Sequence, residues 1–200
     1  SHVGLFEFGD GTKALEYIRE IENATPLGMI LGSGTQTACK VFGIDRVPAI
    51  RGLGIPAHMA RSRKGWGLSY VTSPQGADHT SGSVAEEPLS PFGQAERSRN
   101  SQTSMAAFDS LGMCWFTFIN GNHDLLYPMI NALYGLNWDA EQYLEMGKEM
   151  IRMEIEFNRK AGLGQEQEQM PQWIKDEALP PTNAKFDVPY EDYKKVWEDI

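Results

Sequence analysis

The sequence predicts an all-α, multihelical protein, and three observations support this class. Apolar residues recur every three or four positions in several segments, which is the spacing that places them on one face of a helix. Glycine follows most of these segments, at the position where helices commonly end. No segment alternates apolar and polar residues over the length of a strand, and the sequence contains no internal repeat.

The first 34 residues predict two helices. Residues 12–23 form the first helix, and Thr12 can act as its N-cap. One face of this helix is apolar and consists of Leu15, Ile18 and Ile21. Pro26 can open the second helix, because proline fits the first helical position, and Gly32-Ser33-Gly34 interrupts it.

The next segment predicts a third helix and then a boundary. Residues 35–42 are expected to be helical, with Cys39 in the core and Gly43 as the stop. Residues 45–56 should be extended, because each proline in this stretch disfavours helical backbone at the residue before it. We place a subdomain boundary after Val47.

The middle of the chain is rich in glycine, aromatic and polar residues. Gly65 and Gly67 lie in a basic and aromatic segment, where the missing side chains would let a backbone or a ligand approach closely. Residues 73–76 have the composition of a turn. Residues 80–91 predict a long loop, and loops of this length within a compact domain are usually functional or disordered.

The second half predicts longer helices. Residues 94–111 form a helix that is charged in its first half and small and apolar in its second. Residues 115–119 predict a short buried run, and residues 120–122 a turn. Residues 123–134 form the next helix, which Gly135 ends. Its apolar residues are Leu125, Leu126, Met129, Ile130 and Leu133.

The longest predicted helix begins at Asn137, its N-cap, and ends near Ala161, before Gly162. Two neighbouring apolar stripes indicate packing on more than one side. The first stripe is Leu144, Ile151 and Ile155, and the second is Met146, Met150, Met153 and Phe157. The remaining segments are a polar linker, a stretch with at most one short turn and a final amphipathic helix, at residues 165–169, 171–181 and 190–200.

Composition excludes several classes of function. The net charge of −9 argues against a nucleic-acid binder, which needs a basic face. No apolar run reaches the roughly 18–20 residues of a membrane helix. Two cysteines in 200 residues do not suggest a secreted disulfide scaffold, so we expect a protein of the reducing cytoplasm.

Cys114 and His79 are the first candidate functional residues. A thiolate can bind iron or zinc, whereas a lone cysteine among apolar residues is more often a buried, inert thiol. His79 follows Asp78 in a predicted turn and could donate a proton to developing negative charge, or could simply be a surface or capping residue. His58 and His123 show no partner pattern.

Asp109 is the third candidate, near the end of the predicted helix 94–111. A carboxylate at a helix C-terminus opposes the helix dipole and therefore favours a compensating partner. A heterocycle rich in N–H donors, such as a pterin, would serve, and so would an arginine. The local pattern alone leaves both alternatives open.

Several motifs together resemble the tungsten-dependent aldehyde:ferredoxin oxidoreductase family. Residues 51–57 resemble the family's Leu-Glu-Leu-Pro segment, and the glycine-rich residues 64–79 end in its Gly-Ala-Asp-His pattern. Residues 109–114 resemble its second Asp-x-x-Gly-Leu-Cys motif. Residues 132–138, followed by residues 154–158, resemble the helical hairpin after that motif.

The resemblance implies cofactors and residue roles. Family members hold tungsten, or less often molybdenum, between two pterins beside a [4Fe-4S] cluster. Cys114 would be the fourth cluster ligand, Asp109 a hydrogen-bond acceptor for a pterin, and Met113 a residue packed against that pterin. His79 would be the active-site histidine near the metal. The implied reaction is oxidation of an aldehyde to a carboxylic acid, with ferredoxin as the electron acceptor.

The resemblance also implies that this chain corresponds to a carboxy-terminal part of the family fold. Residues 1–47 would be the tail of the second helical domain and residues 48–200 the third. The family's β domain and its CxxCxxxC run have no counterpart here, so we expect the chain alone to be inactive and to bind no cofactor. Ser81 stands where many members carry a basic residue near the pterin.

Three alternatives stay open. The chain could be a non-catalytic helical interaction module in which Cys114 and His79 serve packing only. The scaffold could also support a related reduction of acids or aromatic thioesters. The sequence does not decide between a monomer and a homodimer.

Overall fold

The computed structural model describes residues 4–117, 123–164 and 167–200, and at 123 and 124 only the backbone. The all-α class is confirmed, because helices dominate these ranges and their only strands form one small hairpin. The helices are α1 (Gly11–Glu22), α2 (Pro26–Gly32), α3 (Thr35–Val41), α4 (Lys64–Thr72), α5 (Gln94–Ser110), α6 (His123–Tyr134), α7 (Ala140–Lys160), α8 (Gln172–Asp176) and α9 (Tyr190–Val196). The strands are β1 (Ala49–Ile50) and β2 (Leu53–Gly54), and a 3-10 turn covers Trp115–Thr117.

Both predicted N-caps are wrong by two residues. The cap of α1 is Asp10, whose side chain accepts a hydrogen bond from the third helical amide at 2.9 Å. The cap of α7 is Asp139, which accepts from the Gln142 amide at 3.1 Å while the Gln142 side chain accepts from the Asp139 amide at 3.0 Å. A cap must reach the second or third helical amide. Thr12 is already inside α1, and Asn137 lies outside the reach of α7.

The predicted helix ends are mostly confirmed. Gly43, Gly135 and Gly162 all have left-handed backbone, with φ of 65°, 67° and 83°, within two residues of the ends of α3, α6 and α7. α2 lies between Pro26 and Gly32 as predicted, and α8 is the single short helix expected in residues 171–181. α9 is shorter than predicted and stops at Val196. The predicted turn at 120–122, and residues 165 and 166 of the predicted linker, lie outside the described residues.

α4 is a helix that the sequence did not predict. All nine of its residues are buried, so no polar face reveals its period. Its glycines make room for protein side chains rather than for a ligand: a Cβ at Gly65 would lie 2.4 Å from Val84, and one at Gly67 would lie 2.4 Å from Phe186. α4 is thus the centre around which the main core is built.

The main core surrounds α4 and draws on the carboxy-terminal segments. The indole N–H of Trp197 donates to the carbonyl of Thr72 at 2.8 Å, which ties the end of α9 to the end of α4. The large, almost fully buried side chains of this core come from α4 and from several other elements: Tyr70, Leu68, Val84, Met170, Ile174, Phe186 and Val196. These contacts fix the turn that follows α4.

α5 and α7 pack so closely that a glycine is required between them. A Cβ at Gly147 would lie 2.2 Å from the carbonyl oxygen of Thr103. The buried line of α7 is therefore Tyr143, Gly147 and Ile151. The predicted stripes are confirmed in part: Ile151 is buried, and Met146, Met150 and Ile155 are half-buried. Leu144, Met153 and Phe157 are exposed, by 37%, 47% and 72%, which corrects the prediction.

A second core lies between α6, α7 and the end of α5. Leu126 and Ile130 of α6 are buried there with Phe108, and the ring of Tyr127 stacks on that of Tyr143 at 4.5 Å. The other apolar residues predicted for α6, Leu125, Met129 and Leu133, are exposed. The predicted buried run 115–119 is wrong where it is described, because Phe116 is 80% exposed; residues 118 and 119 lie outside the described residues.

The three amino-terminal helices lie at the periphery. α1 and α2 meet at Gly28, where a Cβ would lie 1.9 Å from the carbonyl oxygen of Glu20. The predicted apolar face of α1 is present but exposed. Cys39 is half-buried and not in the core, which corrects the prediction, since α3 contributes no buried residue. The proposed division after residue 47 stays a prediction.

The segment 45–56 is extended as predicted and forms the β1–β2 hairpin, in which Ala49 pairs with Gly54. Arg51 and Gly52 form its turn with φ of 50° and 84°. The buried Arg51 guanidinium donates to the Ser73 carbonyl at 2.8 Å and pairs with Glu168 at 2.7 Å. No helix in the described part of the chain is long and apolar enough to cross a membrane.

Candidate functional site

The motif at residues 109–114 forms the end of α5. Gly112 has φ of 67°, and its amide donates to the Asp109 carbonyl at 3.0 Å. The Met113 amide donates to the Phe108 carbonyl at 3.1 Å. These two bonds make a Schellman motif, which requires the left-handed residue that glycine supplies. The motif therefore reverses the chain and sets the direction of the residues that follow.

Met113 and Cys114 leave this turn in different environments. The Met113 side chain packs against the second core, which contains Phe108, as expected for the hydrophobic contact of a Schellman motif. Cys114 is exposed, and its carbonyl accepts a hydrogen bond from the Thr117 amide at 2.9 Å. The alternative of a buried, inert thiol is thus wrong for Cys114.

Cys114 can supply only one ligand from the described residues. No group of three or more histidine, cysteine, aspartate or glutamate side chains that could hold a metal ion occurs among them. The exposed thiol fits one position of a cluster whose other ligands come from elsewhere. An iron-sulfur cluster would therefore lie at the surface of this chain.

Asp109 is exposed in the last turn of α5 and forms no ion pair with any described residue. Loss of hydration raises the pKa of its carboxyl, and the nearby Asp78 carboxylate raises this pKa further. The structure thus provides no arginine to compensate the charge, among the residues that it describes. A ligand with N–H donors remains compatible with the site.

Asp109 lines a cleft of about 300 Å³ between α5, α7 and the turn after α4. Glu154 of α7 lines the same cleft, and both burial and the Asp109 carboxylate raise the pKa of Glu154. Ser81 lies at the other side, where its hydroxyl donates to the Asp78 carbonyl at 2.7 Å. The cleft therefore combines two carboxyls with no basic residue in its lining.

His79 is held by a turn that Asp78 organises. The two Asp78 carboxylate oxygens accept from the amide and the hydroxyl of Thr80, both at 2.8 Å. The His79 side chain is 49% exposed, and its Nδ1 lies 3.8 Å from an Asp78 oxygen, which is too long for a hydrogen bond. His79 is thus a surface residue, while the capping role belongs to Asp78.

His58 is the residue of this site that the sequence analysis missed. Its ring centroid lies 5.4 Å from that of His79 and 4.1 Å from that of Trp66. The Tyr70 hydroxyl donates to the His58 carbonyl at 2.9 Å. The two histidines are 21 positions apart, in segments of different structure, so no spacing rule indicates their contact.

The structure brings the candidate residues to one region without joining them all. Ser81, which is hydrogen-bonded to the Asp78 carbonyl, and Asp109 line the same cleft. No hydrogen bond or ring contact joins Cys114 to His79 among the described residues. A larger cleft of about 1080 Å³, beside Trp173, contains none of the four candidate residues in its lining.

Comparisons with known proteins give the family. The family model for aldehyde ferredoxin oxidoreductase, domains 2 and 3, matches residues 2–199. The tungsten-containing aldehyde ferredoxin oxidoreductases of Thermococcus kodakarensis and Pyrococcus abyssi are 27% and 28% identical, over 88% of this chain. An aliphatic sulfonate oxidoreductase, WOR-like subunit, of Pyrococcus furiosus is 29% identical over 74% of the chain and 24% of its own length.

The first two relatives are much longer than this chain, which spans 31% of their length. The matched region is a helical one, in agreement with the observed fold. The match includes both the glycine-rich helix α4 with its turn and the Schellman motif that ends in Cys114. The chain therefore belongs to the aldehyde ferredoxin oxidoreductase family and matches within the region of its domains 2 and 3.

Proposed function

We propose that this chain forms one wall of the cofactor site in a tungsto- or molybdo-pterin oxidoreductase. The whole enzyme would oxidise an aldehyde to a carboxylic acid and pass the electrons to ferredoxin. Two relatives that cover most of the chain carry the name tungsten-containing aldehyde ferredoxin oxidoreductase. Both cysteines are free thiols, which is consistent with a reducing cytoplasm.

The observation that carries the proposal is the exposed Cys114 thiol, five residues after Asp109 and directly after a hydrogen-bonded turn. A thiol presented in this way can bind iron, whereas a packing cysteine would be buried. Asp109 faces the shared cleft with an uncompensated carboxylate, which suits N–H donors of a pterin. Met113, which is half-buried on the second core, would also pack against that pterin.

His79 would hold and release the proton that the reaction requires. When bound, the pterin-held metal and the iron-sulfur cluster supply the two-electron chemistry. The protein must provide a group that holds or releases a proton at the carbonyl oxygen, and an exposed imidazole does so near neutral pH. The Asp78 turn would keep His79 at the surface that faces the rest of the enzyme.

The decisive experiment measures metals in the full-length protein, produced without oxygen and with tungstate. We expect about four iron atoms and one tungsten or molybdenum atom per chain in the parent protein. Cys114→Ala should lose iron, whereas Cys39→Ala is a matched control that should keep it, because Cys39 lies on α3. Absence of metal in the parent protein, or equal iron in both variants, would contradict the proposal.

The 200 residues alone should be inactive and hold no cofactor, because they supply only one wall of the cofactor site and one cysteine ligand, Cys114. Aldehyde-dependent reduction of a dye by this chain alone would contradict this proposal. The same protein preparation can be compared with the full-length enzyme at equal concentration.

A second candidate keeps the fold and changes the substrate. One relative is named as an aliphatic sulfonate oxidoreductase subunit, so a protein similar to this chain is named for a substrate other than an aldehyde. Reduction of acids or aromatic thioesters belongs to the same group of possibilities. A screen of aldehydes, sulfonates and thioesters with the metal-loaded enzyme decides among them.

A further inference from the structure

His58 is exposed, but it contacts the main core on one side. Its ring packs edge-on against the Trp66 ring at 4.1 Å, and Trp66 is only 8% exposed. The Tyr70 hydroxyl fixes the His58 carbonyl at 2.9 Å. Trp66 and Tyr70 both belong to α4, whose residues are all buried. The position of the His58 imidazole is therefore set by the main core.

His79 has no comparable support. It lies on an exposed turn, and its ring has no hydrogen bond to Asp78. Among the described residues, its one ring contact is with His58, at 5.4 Å between centroids and an angle of 34°. The core thus restrains the His79 imidazole through the His58 ring.

The charges around the pair favour a single proton. Burial lowers the pKa of His58, and the positive charges of His79 and Arg63 lower this pKa further. Arg63 precedes α4 and lies over the Trp66 ring at 5.5 Å. Asp78, on the turn, is the acid that faces the His79 side of the pair.

We propose that His58 is a positioning residue for His79: its ring, packed on Trp66, orients the second imidazole and disfavours a second positive charge on the pair. Two charged imidazoles at this separation repel each other, and the Asp78 carboxylate lies on the His79 side, so the proton remains on the His79 ring, where a substrate could use it. This inference rests on the proposed function only for the use of the proton. The coupling between the two rings can be measured without any cofactor.

The test is an NMR titration of the histidine ring carbons in this chain and in single variants. His79→Gln should raise the titration midpoint of His58 by about half a pH unit at low salt, because it removes the nearest like charge. Arg63→Gln should raise that midpoint by less. Arg152→Gln removes a positive charge from α7, which does not act on His58, and should leave the midpoint unchanged.

The reciprocal experiment observes His79. In the parent chain, its resonance should report a second inflection from the protonation of His58, and this inflection should disappear in His58→Gln. His79→Gln changes an exposed side chain, so the test stands even where His58→Gln does not fold. An unchanged His58 midpoint in His79→Gln would overturn the proposal.

A measurement on the metal-loaded full-length enzyme separates this inference from the proposed function. If the rings are coupled but His79→Gln retains full kcat, the positioning contact stands and the catalytic role of His79 is wrong. If kcat falls in His79→Gln without coupling between the rings, the catalytic role stands and the role of His58 is wrong.

Discussion

Helix α1 has a clear apolar stripe and helix α5 has almost none, yet α5 is the buried one. α1 contributes no buried residue, and Leu15 and Ile18 are 58% and 59% exposed. α5 buries eight residues, half of which are polar: Gln94, Ala95, Ser98, Gln102, Thr103, Met105, Ala107 and Phe108. An apolar stripe therefore predicts that a segment is helical, and does not by itself predict that the helix is buried.

Two of the buried polar residues of α5, Ser98 and Gln102, are hydrogen-bonded to each other and to α4. The Ser98 hydroxyl lies 2.8 Å from the Ser69 hydroxyl. The Gln102 amide donates to the hydroxyls of Thr72 and Ser98, both at 3.0 Å. Buried polar groups with partners avoid the cost of lost hydration. This network holds α5 against α4 and so places the end of α5, with Asp109 and Cys114, at a defined position.

The largest expected effect tests the close packing of α5 on α7. Gly147→Ala should lower the free energy of unfolding by about 2 kcal/mol, because the new Cβ meets the Thr103 carbonyl oxygen and backbone cannot easily move. Gly11→Ala is the matched control in α1, where no atom lies within 4 Å of the new Cβ. Urea unfolding measures both. A stabilised Gly147→Ala variant would show that the helices are not in contact there.

The second prediction concerns the turn at the end of α5. Gly112→Ala and Gly135→Ala should each lower the free energy of unfolding by about 1 kcal/mol, because both glycines have φ of 67° and neither has atoms within 4 Å. Only Gly112→Ala should also lower the iron content of the full-length protein, since only this turn presents Cys114. Equal iron content in the two variants would mean that the turn at Gly112 does not position a cluster ligand.

The third prediction concerns the carboxyls of the cleft. The pKa values of Asp109 and Glu154 are raised in the folded chain, so their ionisation opposes folding. This loss of stability is complete above the raised pKa values and absent below the ordinary values of 3.8 and 4.5. Asp109→Asn and Glu154→Gln should therefore raise Tm at pH 7, and the gain should vanish near pH 3.

The control for this pair lies on the same helix. Glu156 has a lowered pKa, chiefly because the Lys160 side chain hydrogen-bonds it. Glu156→Gln should thus not raise Tm at pH 7. The gain in Tm of the double variant should be smaller than the sum of the gains of Asp109→Asn and Glu154→Gln. Each carboxylate destabilises the other, so either single substitution already removes their repulsion. Additive gains would mean that the carboxyls do not interact.

Local features of the fold and the site were predictable from the sequence. Gly135 and Gly162 end their helices because a left-handed residue is needed there, and the sequence shows the glycine directly. The family motif likewise lies within one turn, where Gly112 sets the backbone and Cys114 follows. Features of this kind depend on neighbours in the chain, so a single sequence contains them.

Non-local features were not predictable. α4 is covered on all sides, by elements that lie as far along the chain as Val196. It therefore has no polar face, and its sequence shows no helical periodicity. The contact of His58 with His79 depends on how two separate segments pack on α4. The exposure of Cys114 could not be read from its apolar neighbours, since it follows from the direction in which the Schellman motif leaves α5.

The smallest expected effect returns to α1. Ile18→Gln should change the free energy of unfolding of this chain by no more than about 0.5 kcal/mol, because the side chain is 59% exposed and leaves no cavity. Gly28→Ala, where α2 meets α1, should by contrast destabilise this pair of helices, since the new Cβ meets the Glu20 carbonyl at 1.9 Å. Thermal unfolding compares the two variants. A large decrease in the stability of Ile18→Gln would mean that the apolar stripe of α1 is covered in solution. Both helices would then be buried, and α1 and α5 would differ only in what covers them.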